Sequence, residues 1–373
     1  MPESTRLVDL IQSRIDGFLA ERGSQIAGIA PELQVFQDYA SSLLSGGKRF
    51  RALFCYWGWN AVGSGRDEFD PLAADEAPRD LDTIVSVASG LELFHAAALV
   101  HDDIMDRSDT RRGMPAVHKR FEALHESSDW SGSGPDFGMS GGLLLGDLLL
   151  GWSDELVDEG LALLVDSATA RAARLEFNLM RTEVTVGQYL DILEERSWIS
   201  SPETEQLSRA QRVLVYKSAK YSVEEPLAIG AHLGGGSLAQ LAALRAFGLP
   251  LGIAYQLRDD LLGVFGDPTV TGKPAGDDLR EGKRTVLVAL ARTGMPGNAV
   301  RLFDELLGDP DLSDAQIRML QSTIVDSGAV EKVERMIATH VERARAALVG
   351  APLSREALEQ LGELTATVTQ RVA

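Results

Sequence analysis

Residues 81–106 read LDTIVSVASGLELFHAAALVHDDIMD and decide the fold. The segment is long and apolar, contains no proline before its end, and leads directly into Asp102, Asp103 and Asp106. Because an α-helix turns by about 100° per residue, Asp102 and Asp106 lie about 40° apart, and His95 falls within about 20° of the same line. We predict a buried helix that carries one stripe of polar groups at its C-terminal end.

This polar stripe is costly unless cations neutralise it. The helix macrodipole disfavours negative charge at the C-terminus, and neighbouring carboxylates repel each other. Magnesium suits such a site, because Mg²⁺ prefers oxygen ligands and typically binds one or two carboxylates together with substrate phosphates. A solvent-exposed acidic helix end is the alternative interpretation of this motif taken alone.

Basic residues lie on both sides of the acidic motif in the sequence. Arg111 and Arg112 follow Asp106, and GGKRFR at residues 46–51 supplies more cations at a glycine-containing turn. Guanidinium groups bind phosphate oxygens in bidentate fashion, so a polyphosphate held between metal and arginine would explain the pairing. Surface ion pairs, which contribute little to stability, are the alternative.

A second acidic motif lies within the apolar residues 249–265. Four of its positions share one helical face: Gln256, Asp259, Asp260 and Gly263. Basic residues follow this motif too, first in GKP, which contains Lys273, and then in EGKRT. Because acid on a helix is twice followed by base in a loop, we predict that both stripes face a common cavity where metal ions bridge to phosphates.

Apolar residues recur at spacings of three and four through most of the chain, and alternating runs typical of strands are scarce. The predicted fold class is therefore all-α. The two acidic motifs are far apart in this sequence of 373 residues yet would have to cooperate. We therefore predict one domain, residues 1–373, with its helices around a central cavity. Segments rich in glycine, proline, serine and aspartate predict loops at residues 63–78, 127–142 and 266–276.

Composition excludes several classes of partner. The chain has 36 basic and 55 acidic residues, a net charge of −19, which argues against binding to nucleic acid or anionic lipid. The longest apolar stretch, residues 141–152, is interrupted by Asp147 and is shorter than the roughly 18 to 20 residues of a membrane span. Cys55 is the only cysteine, and the charged N-terminal residues lack the apolar segment of a signal peptide. We expect a reduced, cytoplasmic setting.

Taken together, the motifs resemble the trans-isoprenyl diphosphate synthase (polyprenyl synthetase) family, and within it the bacterial geranylgeranyl diphosphate synthases. The similarity runs through residues 45–283 in the order GGKRFR, ELFH, DDIMDRSDTRRG, GQYLD, KSAKYS, QLRDDLLGVFGD, GKP and EGKRT. It implies an all-α homodimer that condenses isopentenyl diphosphate head-to-tail with dimethylallyl, geranyl or farnesyl diphosphate. It also implies Mg²⁺ as cofactor, with three ions per active site.

The resemblance assigns roles to individual residues. The implied Mg²⁺ ligands are Asp102, Asp106 and Asp259, with Asp103 and Asp260 assisting. The implied ligands of isopentenyl diphosphate are Lys48, Arg51, His95 and Arg112. The implied ligands of the allylic diphosphate are Arg111, Lys217, Gln256 and Lys273. Catalysis would fall to the five aspartates with Arg111 and Lys217. Gly263 departs from the family, because many members carry the last aspartate of the second motif there.

Product length depends on bulky residues along the helix that leads to Asp102. Short-product members of the family carry aromatic residues four or five positions before the first aspartate, where this chain has Ala97 and Ala98. Phe94 is the next large side chain and lies about 6 Å deeper than Ala98 by helical rise. We therefore predict geranylgeranyl diphosphate (C20), with C15 and C25 products as alternatives. Ordinary core packing of Phe94 is the competing interpretation.

Two other functions compete with prenyl chain elongation. A class I terpene cyclase also ionises a prenyl diphosphate at an aspartate-rich motif with magnesium, but it needs no second diphosphate site. The cations Lys48, Arg51 and Arg112 and the lack of an N-D-x-x-S-x-x-x-E motif argue against a cyclase. An inactive regulatory subunit should have lost carboxylates or cations from these motifs, and nearly all are present.

Overall fold

The structure, a computed structural model, describes residues 2–63, 81–267 and 276–369. In chain order the helices are α1 (Pro2–Ala27), α2 (Gln34–Leu43), α3 (Phe50–Ala61), α4 (Leu81–Met105), α5 (Val117–Ser127), α6 (Gly134–Ala162), α7 (Ser167–Ser197), α8 (Gln206–Val213), α9 (Glu225–Leu233), α10 (Leu238–Phe265), α11 (Asp277–Glu281), α12 (Val286–Gly294), α13 (Gly297–Leu306), α14 (Asp314–Asp326), α15 (Ala329–Leu348) and α16 (Arg355–Thr369). This arrangement confirms the all-α prediction.

The remaining described elements are short. Three 3-10 turns span Pro31–Leu33, Trp198–Ser200 and Glu203–Glu205, and a π-helix, Leu214–Glu224, joins α8 to α9. Strands β1 (Thr110–Arg111) and β2 (Met114–Pro115) pair in antiparallel fashion just after the first acidic motif. This hairpin turns the chain back and fixes the arginines of the motif beside α4.

Two clusters of buried apolar side chains stabilise the helices. The larger cluster includes Trp57 on α3 and Phe177 on α7, and the smaller one includes Phe303 on α13. Helix α10 contributes to both, with Phe247 in the first cluster and Leu257 in the second. The acidic motif on its C-terminal half is therefore held by packing on both sides. That residues 1–373 form one domain stays a prediction.

Glycines allow α3 to pack closely against α9. A Cβ atom on Gly58 would lie 2.2 Å from the backbone oxygen of Leu227, and one on Gly230 would lie 1.8 Å from that of Cys55. Any larger residue would therefore collide with backbone atoms. The close approach brings Arg51, in the first turn of α3, within 2.9 Å of the Ser222 hydroxyl on the π-helix.

The π-helix carries part of the KSAKYS motif. Its hydrogen bonds join residues five apart, and such segments occur frequently at functional sites. Lys217 and Ser222 are five residues apart, and both line the central cavity. A Cβ atom on Gly187 of α7 would lie 2.5 Å from the backbone nitrogen of Lys217, so this glycine lets α7 approach the π-helix.

The predicted loop at residues 127–142 is wrong over most of its length, because α6 begins at Gly134. Ser133 caps this helix by accepting a 3.3 Å hydrogen bond from the backbone nitrogen of Asp136. The glycines that indicated a loop serve helix packing instead. A Cβ atom on Gly138 would lie 2.4 Å from the backbone oxygen of His118 on α5. The predicted loops at 63–78 and 266–276 lie mostly outside the described residues.

Within the described residues, two helices are long and apolar enough to cross a membrane by length and composition alone: Leu81–Met105 and Leu238–Phe265. Both are longer than the apolar run at residues 141–152, so the length argument made from that run does not by itself exclude a span. Inside the protein, 83% of the apolar window of the first helix and 39% of that of the second are buried. Core helices of soluble proteins pass the same test, so this is weak evidence for a membrane span.

Candidate active site

A cavity of about 660 Å³ opens between α4, α10 and the π-helix. It is lined by most of the side chains to which the resemblance assigns roles: Lys48, Arg51, His95, Asp102, Asp106, Arg111, Arg112, Lys217, Gln256, Asp259 and Asp260. Asp103 lies behind this surface with 2% of its area exposed. Lys273 lies outside the described residues. The two acidic motifs thus face one cavity, as their repeated pattern predicts.

Asp102 is surrounded by donors from three other elements. The Gln188 amide on α7 donates to Asp102 Oδ1 at 2.9 Å, and Lys217 Nζ on the π-helix lies 3.5 Å from the same oxygen. Arg111 Nη2 lies 3.6 Å from Asp102 Oδ2. These contacts fix the carboxylate at the cavity surface and offset part of its charge.

Asp103 holds Arg111 in place. Arg111 Nε donates to Asp103 Oδ1 at 2.9 Å, and a second guanidinium nitrogen contacts the same oxygen. Burial by itself would lower the pKa of Arg111, but the carboxylates, Asp103 above all, outweigh it and raise that pKa. Arg111 is therefore a permanent cation at the cavity wall, and Asp103 positions it rather than facing the cavity.

Lys283 is a cation of the site that the sequence analysis did not assign. Its Nζ lies 2.8 Å from Asp106 Oδ1, 3.0 Å from Glu195 Oε1 and 3.3 Å from Asp191 Oδ2. Asp191 also contacts Lys217 Nζ at 2.5 Å, so it is the shared counter-ion of both lysines. Burial alone would lower the pKa of Lys283, but these carboxylates outweigh it and raise that pKa well above its usual range.

The same charges set the ionisation of the carboxyl groups. Burial and the neighbouring Asp102 carboxylate raise the pKa of Asp106. Burial would also raise the pKa of Asp191, but Lys217 and Lys283 outweigh it and lower that pKa. The first acidic motif is thus crowded with charge of both signs.

The second acidic motif has a different environment. The Gln256 amide donates to Asp260 Oδ1 at 2.8 Å, and the Ser218 hydroxyl donates to the Gln256 oxygen. Burial raises the pKa of Asp260 well above its usual range, against the hydrogen bond from Gln256, and the nearby carboxylates of Asp278 and Asp259 raise it further. Among the residues that the structure describes, the groups that act most strongly on Asp260 are therefore other carboxylates and one neutral amide.

A third group of side chains forms a basic patch around His95. The Arg51 guanidinium lies 4.2 Å from the centre of the Tyr221 ring, and the Tyr221 hydroxyl lies 3.0 Å from His95 Nδ1. Burial and the guanidinium groups of Arg51 and Arg112 hold the pKa of His95 well below its usual range, so the imidazole is neutral at pH 7. Arg112 lies beside Gly47, where an added Cβ atom would be 3.5 Å from its Nη1. Cations gathered in this way favour binding of an anion.

The three residues proposed to set product length lie below this patch, and none of them lines the cavity. Phe94 is buried, with its ring centre 5.8 Å from that of Tyr221 and 6.2 Å from that of Phe177. Ala97 is fully buried and Ala98 is half-buried. Phe94 is thus part of an aromatic layer one residue below His95, which is itself at the cavity surface.

The oxygen donors of the cavity match the requirements of Mg²⁺. Within the described ranges, no three His, Cys, Asp or Glu side chains converge closely enough to hold a metal ion by themselves. Mg²⁺ does not require such a cage, because it keeps several waters and commonly combines one or two carboxylates with substrate phosphates. Asp102, Asp106 and Asp259 present hard oxygen donors to one cavity, so the residues fit Mg²⁺ whose coordination a diphosphate completes.

Gln188, Asp191, Asp278 and Lys283 are among the residues at the site that were not assigned from the sequence. Three of them lie in motifs that the sequence analysis quoted, GQYLD and EGKRT, so the motif itself was the available signal. Asp278 had a weaker signal, the glycine at position 263 where an aspartate was expected.

Comparisons with known proteins agree with this site. A model of the polyprenyl synthetase family matches residues 33–324. The chain is 32% identical to geranylfarnesyl diphosphate synthase of Aeropyrum pernix over 291 residues, which cover 77% of this chain and 83% of the relative. It is 31% identical to geranylgeranyl diphosphate synthase of Methanosarcina mazei over 278 residues, 74% of this chain and 75% of the relative.

A solved structure is similar over nearly the whole chain. Geranylgeranyl pyrophosphate synthase of Corynebacterium glutamicum, solved with isoprenyl diphosphate and magnesium, superposes with a TM-score of 0.89 at 36% identity. The match covers 98% of this chain and 99% of that one. With two acidic motifs and their basic partners around one cavity, and with these similarities, the chain belongs to the polyprenyl synthetase family.

Proposed function

We propose that this protein is a Mg²⁺-dependent head-to-tail prenyltransferase that makes geranylgeranyl diphosphate (C20) from isopentenyl diphosphate and an allylic diphosphate. One observation carries the proposal: two acidic walls and two groups of cations line the same cavity. One diphosphate needs only one such group, so the arrangement suits two anionic substrates side by side. A class I terpene cyclase would have no use for the patch formed by Lys48, Arg51 and Arg112.

The chemistry begins at the allylic diphosphate. Mg²⁺, for which we propose three ions per site, would supply Lewis-acid stabilisation of the diphosphate as its negative charge grows. Arg111, Lys217 and Lys283 lie at or beside the first acidic wall, where they can stabilise the same charge. The bond between the allylic carbon and oxygen breaks, and the diphosphate leaves with the electron pair.

The second substrate then attacks. Lys48, Arg51, Arg112 and neutral His95 would hold isopentenyl diphosphate by its phosphates, with its double bond turned toward the allylic carbon. That double bond forms the new carbon–carbon bond, and a proton leaves the adjacent carbon for the departing diphosphate. Because neither step needs a strong base from the protein, positioning of the two anions is the main catalytic task.

The C20 assignment depends on the depth of the apolar region along α4. Ala97 and Ala98 carry only small side chains below the first aspartates, whereas Phe94 packs with Tyr221 and Phe177 in an aromatic layer. By helical rise, Phe94 lies about 12 Å from Asp102 along the helix axis. We propose that this layer stops the growing chain.

Product analysis tests the proposal directly. Farnesyl diphosphate, labelled isopentenyl diphosphate and Mg²⁺ should give a C20 product, and a C15 product from geranyl diphosphate with no extension of farnesyl diphosphate would contradict the assignment. Phe94→Ala should shift products to C25 or longer. Because loss of a buried phenylalanine costs about 3–5 kcal/mol, Phe94→Leu serves as the milder variant. If neither variant lengthens the product, Phe94 does not set its length.

We also propose that a second copy of this chain covers an apolar face of α6 and α7. Leucines 143 and 144 on α6 are 50% and 54% exposed, and Leu179 and Tyr189 on α7 are 45% and 63% exposed. A large exposed apolar surface marks an interaction site. Light scattering should give the mass of a dimer, and Leu144→Glu with Leu179→Glu should give a monomer, whereas Val349→Glu, at an exposed position elsewhere, should not. The cytoplasmic setting and the absence of a membrane span remain part of this proposal.

A further inference from the structure

Gly263 on α10 and Asp278 on α11 share one small volume. A Cβ atom built on Gly263 would lie 2.0 Å from Asp278 Oδ2, 2.3 Å from its Cγ and 2.7 Å from its Oδ1. The Asp278 carboxyl group therefore occupies the space where any side chain at position 263 would begin. Gly263 is one helical turn after Asp259, so this place belongs to the acidic face of α10.

The geometry of α11 fixes Asp278 in this place. Gly276 and Gly282, which flank the helix, have φ angles of +73° and +78°, which side chains other than glycine rarely adopt. Leu279, the next residue, is fully buried, and the backbone nitrogen of Lys283 donates to the Asp278 backbone oxygen at 3.0 Å. The same short segment thus directs Asp278 to the second acidic wall and Lys283 to the first.

A further contact joins α11 to the turn that follows α4. The Ser108 hydroxyl donates to Glu281 Oε1 at 3.0 Å. Asp278, Asp259, Asp260 and Gly263 all line the cavity. The carboxylate of Asp278 is therefore at the cavity surface beside the second motif, although it comes from a different helix.

We infer that Asp278 supplies the carboxylate that the second motif lacks at Gly263, and that it faces the same Mg²⁺ as Asp259. The glycine is then a requirement of the arrangement, because only a residue without a side chain leaves room for the Asp278 carboxyl group. This inference rests on the proposed function, since it assigns a ligand to the metal that grips the allylic diphosphate.

Binding measurements test the inference without turnover. The probe is a nonreactive thio-analogue of farnesyl diphosphate, and its affinity is measured by calorimetry while Mg²⁺ is varied. Asp278→Asn should raise the Mg²⁺ concentration for half-maximal binding by about 10- to 100-fold, the usual effect of removing a group that supports a metal site. Asp314→Asn is the control. Asp314 lies 3.8 Å from Arg280, which is on α11 like Asp278, but the Asp314 side chain is 84% exposed.

Two changes at position 263 test whether this place needs a carboxylate and whether that carboxylate can come from α10 instead of α11. Gly263→Ala should displace the Asp278 side chain and so raise the Mg²⁺ concentration for half-maximal binding, as Asp278→Asn does. Gly151→Ala should leave that concentration unchanged, because nothing lies within 4 Å of a Cβ atom added there. The double variant Gly263→Asp with Asp278→Gly places the carboxylate on α10 instead of α11. It should recover most of the affinity that Asp278→Gly alone loses.

The outcomes distinguish this inference from the proposed function. If the wild-type protein does not bind the analogue in a Mg²⁺-dependent way, the proposed function fails. If it does, and Asp278→Asn binds with an unchanged Mg²⁺ dependence, the inference alone is overturned. A loss of equal size in Asp314→Asn, or no recovery in the double variant, also overturns it.

Discussion

The two acidic walls of the cavity carry similar residues in different electrostatic settings. On the first wall, Asp102 and Asp106 contact Lys217 and Lys283, and Asp103 holds Arg111. On the second wall, Asp260 accepts from the neutral Gln256 amide, and its pKa is raised well above the usual range by burial. The first wall therefore contacts three cations, whereas in the described part of the chain the contact shown for Asp260 is to a neutral amide.

We therefore expect the two walls to have different roles. The cations of the first wall are also those placed to stabilise the leaving diphosphate, so they can exchange a carboxylate for a phosphate oxygen when substrate binds. Positive charge from an ion such as Mg²⁺ would favour the ionised form of Asp260, because burial makes that form costly.

Loss of a carboxylate from either wall should have the largest effect. Asp102→Ala and Asp259→Ala should each lower kcat/KM by about 10³-fold or more, because each removes stabilisation of the diphosphate charge in the transition state. Steady-state assays with farnesyl and isopentenyl diphosphates measure the effect. If Asp259→Ala stays within tenfold of wild type while Asp102→Ala does not, the second wall is not a metal wall.

Removal of Lys283 should cost somewhat less. Lys283→Ala deletes one positive charge from the leaving-group region, and we expect kcat to fall by about 10²- to 10³-fold, as for other charge-stabilising donors. Lys119→Ala is the control, since Lys119 pairs with Glu122 on the protein surface. Similar rates for both variants would show that Lys283 only offsets Asp106 and Asp191.

Without Mg²⁺, substitutions in the two walls should change the free energy of unfolding in different ways. Asp103→Asn breaks a buried pair with Arg111 and should lower the free energy of unfolding by about 3 kcal/mol. Asp260→Asn removes a buried carboxyl whose ionised form is unfavourable, so it should be neutral or stabilising. Urea unfolding of both variants in excess chelator measures the difference. Equal destabilisation by the two changes would contradict the comparison.

The smallest effect should be a change in pH dependence. The folded-state pKa of Asp260 is raised above its ordinary value of 3.8, so the folded protein holds this proton more tightly than the unfolded chain. The associated stability is fully present below that ordinary value and is lost as pH rises through the folded-state pKa. Without Mg²⁺, wild type should therefore lose stability relative to Asp260→Asn as pH rises. Thermal unfolding from pH 4 to pH 8 measures this, and parallel curves would contradict it.

Local sequence pattern was enough to predict the helices that carry the acidic motifs. The apolar run before Asp102 and the spacing of Asp259 and Asp260 are periodic over several turns, and both helices appear where that period indicates. The charge of Lys283 was visible in EGKRT, but its contact with Asp106 joins residues 177 positions apart. Such pairings depend on how helices pack, which no local period describes.

Two other features were beyond the reach of helical periodicity. Glycine-rich residues 134–142 indicate a loop by composition, yet Gly138 and Gly141 allow α5 to contact α6 closely. At about 100° per residue, Lys217 and Ser222 would lie about 140° apart on an α-helix, and a common cavity would not be expected. Residues five apart are instead joined by one turn of a π-helix, which brings both side chains to the same side.

The number of residues in the π-helix, Leu214–Glu224, determines which of its side chains face the active site. Deleting one residue between Lys217 and Tyr221 would let the chain close ordinary α-helical hydrogen bonds, and the residues of this segment before the deletion would rotate by about 100° relative to α9. Lys217 would then turn away from Asp102, while Tyr221 and the aromatic layer below it could stay in place. We therefore expect a single-residue deletion here to impair ionisation of the substrate while the aromatic layer and the fold are retained.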